Sequence, residues 1–427
     1  MFRIKCQAKD YAWGLPAGES EVAGLAEAAG EHIDGFKPYA ELWMGTHPSG
    51  PSTVAATGAN LRDWLQANSQ ALGEPVIAKF GTDLPYLFKV LSVRTALSIQ
   101  SHPDKQLAER LHSERPDIYK DPNHKPEMAL ALTPFQALCG FVSHEELAAS
   151  MASTPELATC CGPSAKRWLD GSWTENPQQC LRDAFTALMT CPQEKFREAL
   201  AALVARIRSQ DAAPPSERDQ LVLRLDEQYP GDVGVLSSYF LNVVTLKPGE
   251  CIYLPANEPH AYVTGQLVEC MATSDNVIRA GLTPKLRDTE VLCASLTYGT
   301  GSPVVLRGDP VAPCRTLYRP PFEEFQIERV DIPPLTEADL GANPGPRIMV
   351  VLMGLAQVRA SGPCGELPGA ESDGEAGRGA VYLIPADTTV SAMASQQGFV
   401  AYVASCNDVV FAAAAASPAA QMQTAAA

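Results

Sequence analysis

Short apolar runs separated by Gly- and Pro-rich stretches fill residues 1 to about 141. That pattern predicts β-structure with long loops. Brief helical periodicity interrupts it at 61–71 and 105–112. The run 84–91 reads as a buried strand carrying one cation, Lys89. Lysine is rarely fully buried without a partner, so Lys89 either snorkels to solvent or meets an anion in a cavity. In the stretch Leu97-Ser98-Ile99-Gln100-Ser101-His102-Pro103, an extended backbone points Ser98, Gln100 and His102 to one side. A Gln and a His two residues apart on an inward face are either a hydrogen-bonded core pair or the start of a site.

From Ser143 the period changes to that of a helix. Leu181, Phe185, Leu188 and Met189 keep spacings of four and three, as do Phe196, Leu200, Leu203, Val204 and Ile207. Pro192, and Ser216 with Asp219, are helix-start signals. An all-helical insert is therefore expected over 143–236, with few convergent polar groups and no assigned chemistry. Strand patterns resume at 239–246 and 251–254, the second followed by Pro255-Ala256-Asn257-Glu258-Pro259-His260. Residues 379–386 repeat this grammar: a Gly, a strand with Tyr-Leu, then Pro-Ala. Two related β-sandwich units follow. The second copy reads Asp387-Thr388-Thr389-Val390 where the first reaches His260, so it is expected to be structural. The expected division is a discontinuous catalytic β-domain (1–142 and 237–319), the insert, and a C-terminal β-domain without metal ligands (320–411). A mobile loop is expected at 361–379 and a disordered Ala-rich tail at 412–427.

Composition narrows the function classes. A chain of 427 residues exceeds one core, and its formal charge of -16 disfavours nucleic acid or an anionic membrane as the main partner. A small anionic substrate stays open if a few Lys and Arg converge. The start MFRIKCQAKDYAWG lacks a long apolar run after its charges, which predicts a cytoplasmic chain with no signal or membrane span. The 12 cysteines are scattered, without CxxC, and read as buried thiols in a reducing compartment.

Three polar clusters carry candidate chemistry: Gln100 with His102, His124-Lys125-Pro126-Glu127, and His260 with Tyr262. Two imidazoles, a carboxylate and an amide oxygen suit a divalent metal of borderline softness, zinc first, with iron, cobalt, nickel or manganese open.

The segments YAWG, PYAELWMGTHP, LFKVLSV, LSIQSHPDK, NHKPEMALALTPFQALCGF, LKPGE, PHAY and VECMATSDNVIRAGLTPK resemble, in order, those of the type I mannose-6-phosphate isomerases. The resemblance implies a mainly β fold of cupin-type jelly-roll sandwiches with an all-helical inserted domain. It implies one Zn2+ per chain on Gln100, His102, Glu127 and His260. Lys125, Glu269 and Arg279 are implied at the reacting end of the sugar, and Ser98, Lys89 and Lys285 at its phosphate. Tyr262 either packs or touches substrate. Arg279 adds charge stabilisation at the reacting oxygens, or else forms a structural ion pair. His124, and Asp275 with Asn276, are read as turn-shaping residues.

The implied reaction interconverts mannose 6-phosphate and fructose 6-phosphate through a cis-enediol, supplying mannose 6-phosphate for GDP-mannose and glycan synthesis. A base must move a proton between C2 and C1; Glu269 is the first candidate and Lys125 the second. The competing class is a non-enzymatic sugar-phosphate-binding cupin. Lys125, Glu269 and Arg279 together argue against it, because a binder needs no proton shuttle. An oxygenase wants open positions on a redox metal, and a fused nucleotidyltransferase wants a Gly-rich phosphate loop; neither signal is present. A monomer is expected.

Overall fold

A computed structural model describes residues 1–209, 214–363, 365, 367 and 369–415. Among them, two large sheets with antiparallel ladders form the framework. The first runs Val305–Leu306, Cys251–Leu254, Glu127–Ala131, His260–Ala272, Tyr86–Val93, Glu41–Met44 and Gln7–Lys9. Phe135–Phe141, Leu241–Leu246, Ile99–Ser101 and Ile278–Gly281 attach beside it. The long strand His260–Ala272 joins the two parts. Its first residues pair with Phe135–Phe141 and Ile99–Ser101, and from Gly265 onward it pairs with Tyr86–Val93 and Glu127–Ala131. Gly265 sits at the corner with φ 117°, where a Cβ would lie 2.6 Å from the Pro134 carbonyl oxygen. Only glycine fits that bend.

Strand alternation gives this sheet two different faces. Leu42, Met44, Phe88, Val90, Met128, Leu130, Val268 and Cys270 share one core with Phe2, Ile4, Ile327, Ile348, Val350 and Leu383 of the second sheet. Each such side chain contributes roughly 1.5–3 kcal/mol on burial. The intervening residues, Glu41, Trp43, Lys89, Glu127 and Glu269, therefore project from the opposite face. The polar site is set by the same period of two that builds the inter-sheet core.

The second sheet runs Asp309–Ala312, Arg315–Tyr318, Gln326–Ile332, Thr389–Ser405, Arg347–Ser361, Val381–Ile384, Phe2–Lys5 and Thr53–Val54. It thus starts before residue 320 and takes in two strands from the N-terminal segment, with Phe2 opposite Leu383. Its far face is filled by Met349, Val351, Val358, Tyr382, Ile384, Val390 and Phe399. The repeated grammar has a backbone counterpart. Asn257 and Asp387, each just past its Pro-Ala, both adopt positive φ, 61° and 55°.

Helices occupy most of the span from His144 to Ser237, among them Pro177–Met189, Gln193–Arg208 and Glu217–Gln228. Ser216 and Asp219 form a reciprocal capping box at the last of these. Three local expectations need correction. Glu21–Ala28 is a helix within a stretch read as β and loop, started by Ser20 accepting from the Ala23 N–H. The presumed mobile loop contains the strand Asp373–Gly377, paired to Leu355–Arg359; residues 364, 366 and 368 of that loop lie outside the described residues. The Ala-rich end begins as the helix Asp408–Ala415, and 416–427 lie outside the described residues. The described cysteines are free thiols. Among the described residues, no helix is long and apolar enough to cross a membrane.

Candidate active site

His102, Glu127 and His260 converge, with one ligand atom from each lying within 4.8 Å of the others. His102 follows the short strand Ile99–Ser101, Glu127 opens Glu127–Ala131, and His260 opens His260–Ala272 directly opposite Gln100. All three are buried. The tautomers follow from their hydrogen bonds. His102 Nδ1 lies 2.7 Å from the carbonyl oxygen of Asn276, and His260 Nδ1 lies 3.1 Å from that of Glu258. A carbonyl only accepts, so each Nδ1 carries a proton, and in the metal-binding form of the ring each Nε2 is then a bare lone pair. Those lone pairs face Glu127 Oε1 at 3.2 Å and Oε2 at 3.4 Å, yet both Nε2 atoms lack a hydrogen-bond partner. Two lone pairs turned onto a carboxylate in a dry interior repel each other unless a cation lies between them. The donor set of two imidazole nitrogens and a carboxylate, each imidazole fixed by a carbonyl behind it, fits zinc.

Charge around this centre is dense. The Lys125 ammonium sits 2.9 Å from Glu127 Oε1. Burial pushes the Glu127 carboxyl up, but the neighbouring Lys125 ammonium outweighs it and holds the carboxyl well below the usual range. Burial pulls the His102 imidazole down to about 4. Tyr262 directs its hydroxyl to Glu127 Oε2 at 3.5 Å, and burial raises its phenol well above the usual range.

A second charged group lies along the same face. Trp43, Lys89, Glu269 and Ala129 form one row across four strands. The Lys89 ammonium is 2.9 Å from Glu269 Oε2 and 3.7 Å from Glu41 Oε1, and only 6% of Lys89 is exposed. Trp43 donates its indole N–H to Glu41 Oε2 at 2.7 Å and lies 5.1 Å beneath the Lys89 ammonium. Burial raises the Glu269 carboxyl, against the pull of Lys89. Burial would lower Lys89, but Glu269, Glu41 and Glu127 hold it above its usual range. Of the two readings of Lys89, meeting an anion inside is the one the structure shows: its charge is met by two carboxylates.

The other expected residues are spread around this core. Ser98 donates its hydroxyl to Gln100 Oε1 at 3.1 Å, so the two share a face as the alternation predicts. Arg279 stands opposite Gln100 on the neighbouring strand. It is half-buried, makes no ion pair among the described residues, and is lowered by burial. Lys285 is exposed and likewise unpaired among the described residues. Sequence reasoning missed Glu41, an acid in the apolar run Glu41–Met44 that needed a buried cation. It also missed His47, whose Nε2 lies 3.3 Å from Asp275 Oδ1 and lowers that carboxyl. His124 does more than shape a turn: it meets Glu324 of the second sheet's segment at 2.5 Å.

The fold and site define a two-sheet β protein with a buried His–Glu–His metal centre flanked by two lysine–carboxylate pairs. Residues 1–144 match the phosphomannose isomerase type I catalytic domain, and residues 162–241 match the helical insertion domain of the same family. Mannose-6-phosphate isomerase 2 of Arabidopsis thaliana is 44% identical over 403 residues, covering 91% of this chain and 89% of that protein. The Homo sapiens mannose-6-phosphate isomerase is 42% identical over 410 residues, covering 92% and 95%. A crystal structure of mannose 6-phosphate isomerase bound with zinc and yttrium superposes with a TM-score of 0.79 at 31% identity, covering 95% of this chain and 99% of that one. The apo enzyme from Salmonella typhimurium gives 0.78 at 31% identity, with the same coverage. The chain belongs to the type I phosphomannose isomerase family.

Proposed function

We propose that this chain interconverts mannose 6-phosphate and fructose 6-phosphate, with one zinc held by His102, Glu127, His260 and Gln100. The observation that carries this reading is the pair of buried imidazole lone pairs turned onto Glu127, beside a second carboxylate, Glu269, raised by burial. Bound zinc supplies Lewis-acid polarisation of the sugar's C1 and C2 oxygens, a role that needs no redox change. Glu269 takes the proton from C2 and returns it to C1, because a carboxylate raised towards neutrality accepts and releases a proton more readily than an ordinary one. Lys89 holds Glu269 in place and balances its charge in the ionised state. Lys125 is the second candidate for proton transfer; its ammonium also neutralises Glu127. Arg279, unpaired and half-buried, faces negative charge developing on the sugar oxygens. Ser98 and Lys285 receive the phosphate, where an exposed lysine meets a dianion at the mouth of the site. Tyr262 packs on Phe135 at 5.4 Å while its hydroxyl is directed to Glu127.

The molecular division that goes with this reading is a catalytic β-unit from 1–142 and 237–319, less the strands Phe2–Lys5, Thr53–Val54, Asp309–Ala312 and Arg315–Tyr318 that join the second sheet, a helical unit, and a C-terminal unit with a filled interior. We read the protein as a cytoplasmic monomer acting on a small phosphorylated sugar. The test is isomerisation of mannose 6-phosphate in deuterated water. Label entering the sugar at C1 or C2 together with turnover is the expected result. Binding of mannose 6-phosphate with neither turnover nor exchange would favour the non-enzymatic cupin and end this proposal.

A further inference from the structure

Two loops grip each other behind His102. One, residues 121–124, leads into Lys125 and Glu127; the other, 273–276, leads from the Glu269 strand to the Arg279 strand. Asn276 is 1% exposed, and its amide donates to the Asp121 carbonyl oxygen at 2.6 Å and the Asn123 carbonyl oxygen at 2.9 Å. Asn123 returns the grip by donating its amide to the Thr273 carbonyl oxygen at 2.9 Å, and the Ser274 hydroxyl donates to the Asn123 carbonyl oxygen at 3.2 Å. The Asp121 carboxylate closes the clasp, accepting from the Asp275 N–H at 2.8 Å and the Asn123 N–H at 2.9 Å. The same Asn276 whose side chain is held this way presents its carbonyl to His102 Nδ1 at 2.7 Å. Asn276 is thus more than a turn residue.

We propose that Asn276, with Asp121, is a positioning residue of the metal centre: the clasp fixes the Asn276 carbonyl that sets the tautomer and aim of His102, and ties His102 to the segment carrying Lys125 and Glu127. The Asn276 carbonyl meets His102 Nδ1 rather than the ligating Nε2. Partners of a metal-bound imidazole orient it and raise its basicity, and losing one weakens metal binding by about 10- to 100-fold. The clasp differs from ordinary loop packing because one residue joins both functions, its amide to one loop and its carbonyl to a ligand. A comparable buried asparagine away from the site supplies the control. Asn407 is also 1% exposed and donates to the Pro320 and Phe322 carbonyl oxygens at 2.9 and 2.7 Å.

The inference rests on the metal-centre reading and is tested by zinc affinity, measured by chelator competition on the full chain without substrate. Asn276→Ala is expected to weaken zinc binding about 10- to 100-fold, and to change the visible spectrum of the cobalt-substituted protein. Asn407→Ala is expected to lower the melting temperature while leaving zinc affinity within about twofold, the scatter expected of a distant independent site. Should Asn276→Ala fail to fold, Asp121→Asn, which replaces one of the two oxygens accepting from the Asn123 and Asp275 N–H groups with an NH2 donor, gives the same readout in milder form. Tight zinc binding by wild type that is unchanged in both clasp variants would overturn the proposal, as would equal loss in Asn407→Ala. No zinc binding by wild type would instead overturn the metal-centre reading.

Discussion

Replacing Lys89 with methionine removes the only cation within 4 Å of Glu269 among the described residues and strands two buried carboxylates. At 2.9 Å the Lys89–Glu269 attraction amounts to about 6 kcal/mol for an effective dielectric of about 20. Most of that offsets the cost of taking both charges out of water, so the gross figure is not the stability lost. Removing one partner of a buried pair costs about 3–5 kcal/mol, because the remaining charge is uncompensated. Lys89→Met should therefore lower the melting temperature of the metal-loaded protein by about 3–6 °C, for a chain of this length. The sign of its pH dependence is fixed as well. Burial already raises the folded-state carboxyl of Glu269, and losing Lys89 raises it further. A carboxyl raised on folding favours the folded state when protonated, so the deficit of Lys89→Met should shrink as pH falls from 7 towards 5. Lys89→Met/Glu269→Gln should recover at least about 1 kcal/mol over the single variant. Denaturation of wild type, both singles and the double at two pH values makes the comparison. A single variant as stable as wild type at pH 7, or a deficit that grows on acidification, would refute the pairing.

Two further outcomes follow from the same geometry. Lys285→Ala should raise KM for mannose 6-phosphate about tenfold or more, with kcat and melting temperature little changed, because an exposed charge carries no packing; steady-state kinetics with an unchanged KM would remove Lys285 from the phosphate site. Metal-free protein should lose stability as pH falls from about 6.5 towards 4. The unfolded His102 takes up a proton in that window while the buried one, pulled to about 4, does not, and Glu127, held low, adds the same sign below its ordinary range. Melting of chelator-treated protein across that range should fall, and a flat profile would contradict the burial of an uncharged His102.

The elements most legible in the sequence were those whose signal is local. Gln100 and His102 announce themselves as polar residues in an apolar stretch, and Ser216 with Asp219 announces a helix start; the hydrogen bonds and capping box follow that pattern. The repeated Tyr-Leu…Pro-Ala grammar extends to the positive φ of Asn257 and Asp387. What could not be read is what depends on register between distant strands. Glu41, Lys89 and Glu269 meet only because Trp43 pairs with Lys89 and Lys89 with Glu269. A lone Lys in a strand says that an anion is near, and phosphate was one answer of several. Phe2–Lys5 is four residues long, too short to declare which sheet it enters, and its partner Val381–Ile384 lies at the other end of the chain. The helix Glu21–Ala28 was missed because it is only eight residues long with weak apolar periodicity, and its N-cap Ser20 follows closely on the turn-like Pro16-Ala17-Gly18.

The central claim is that two imidazoles and a carboxylate brought together from three strand ends form the zinc site of an isomerase. It is tested most directly by titrating zinc into rigorously metal-free protein while following conversion of mannose 6-phosphate to fructose 6-phosphate. The account predicts negligible activity without metal, a linear rise, and a plateau at one zinc per chain, all abolished in His102→Ala. Full activity before any zinc is added, or undiminished activity in His102→Ala, would contradict it.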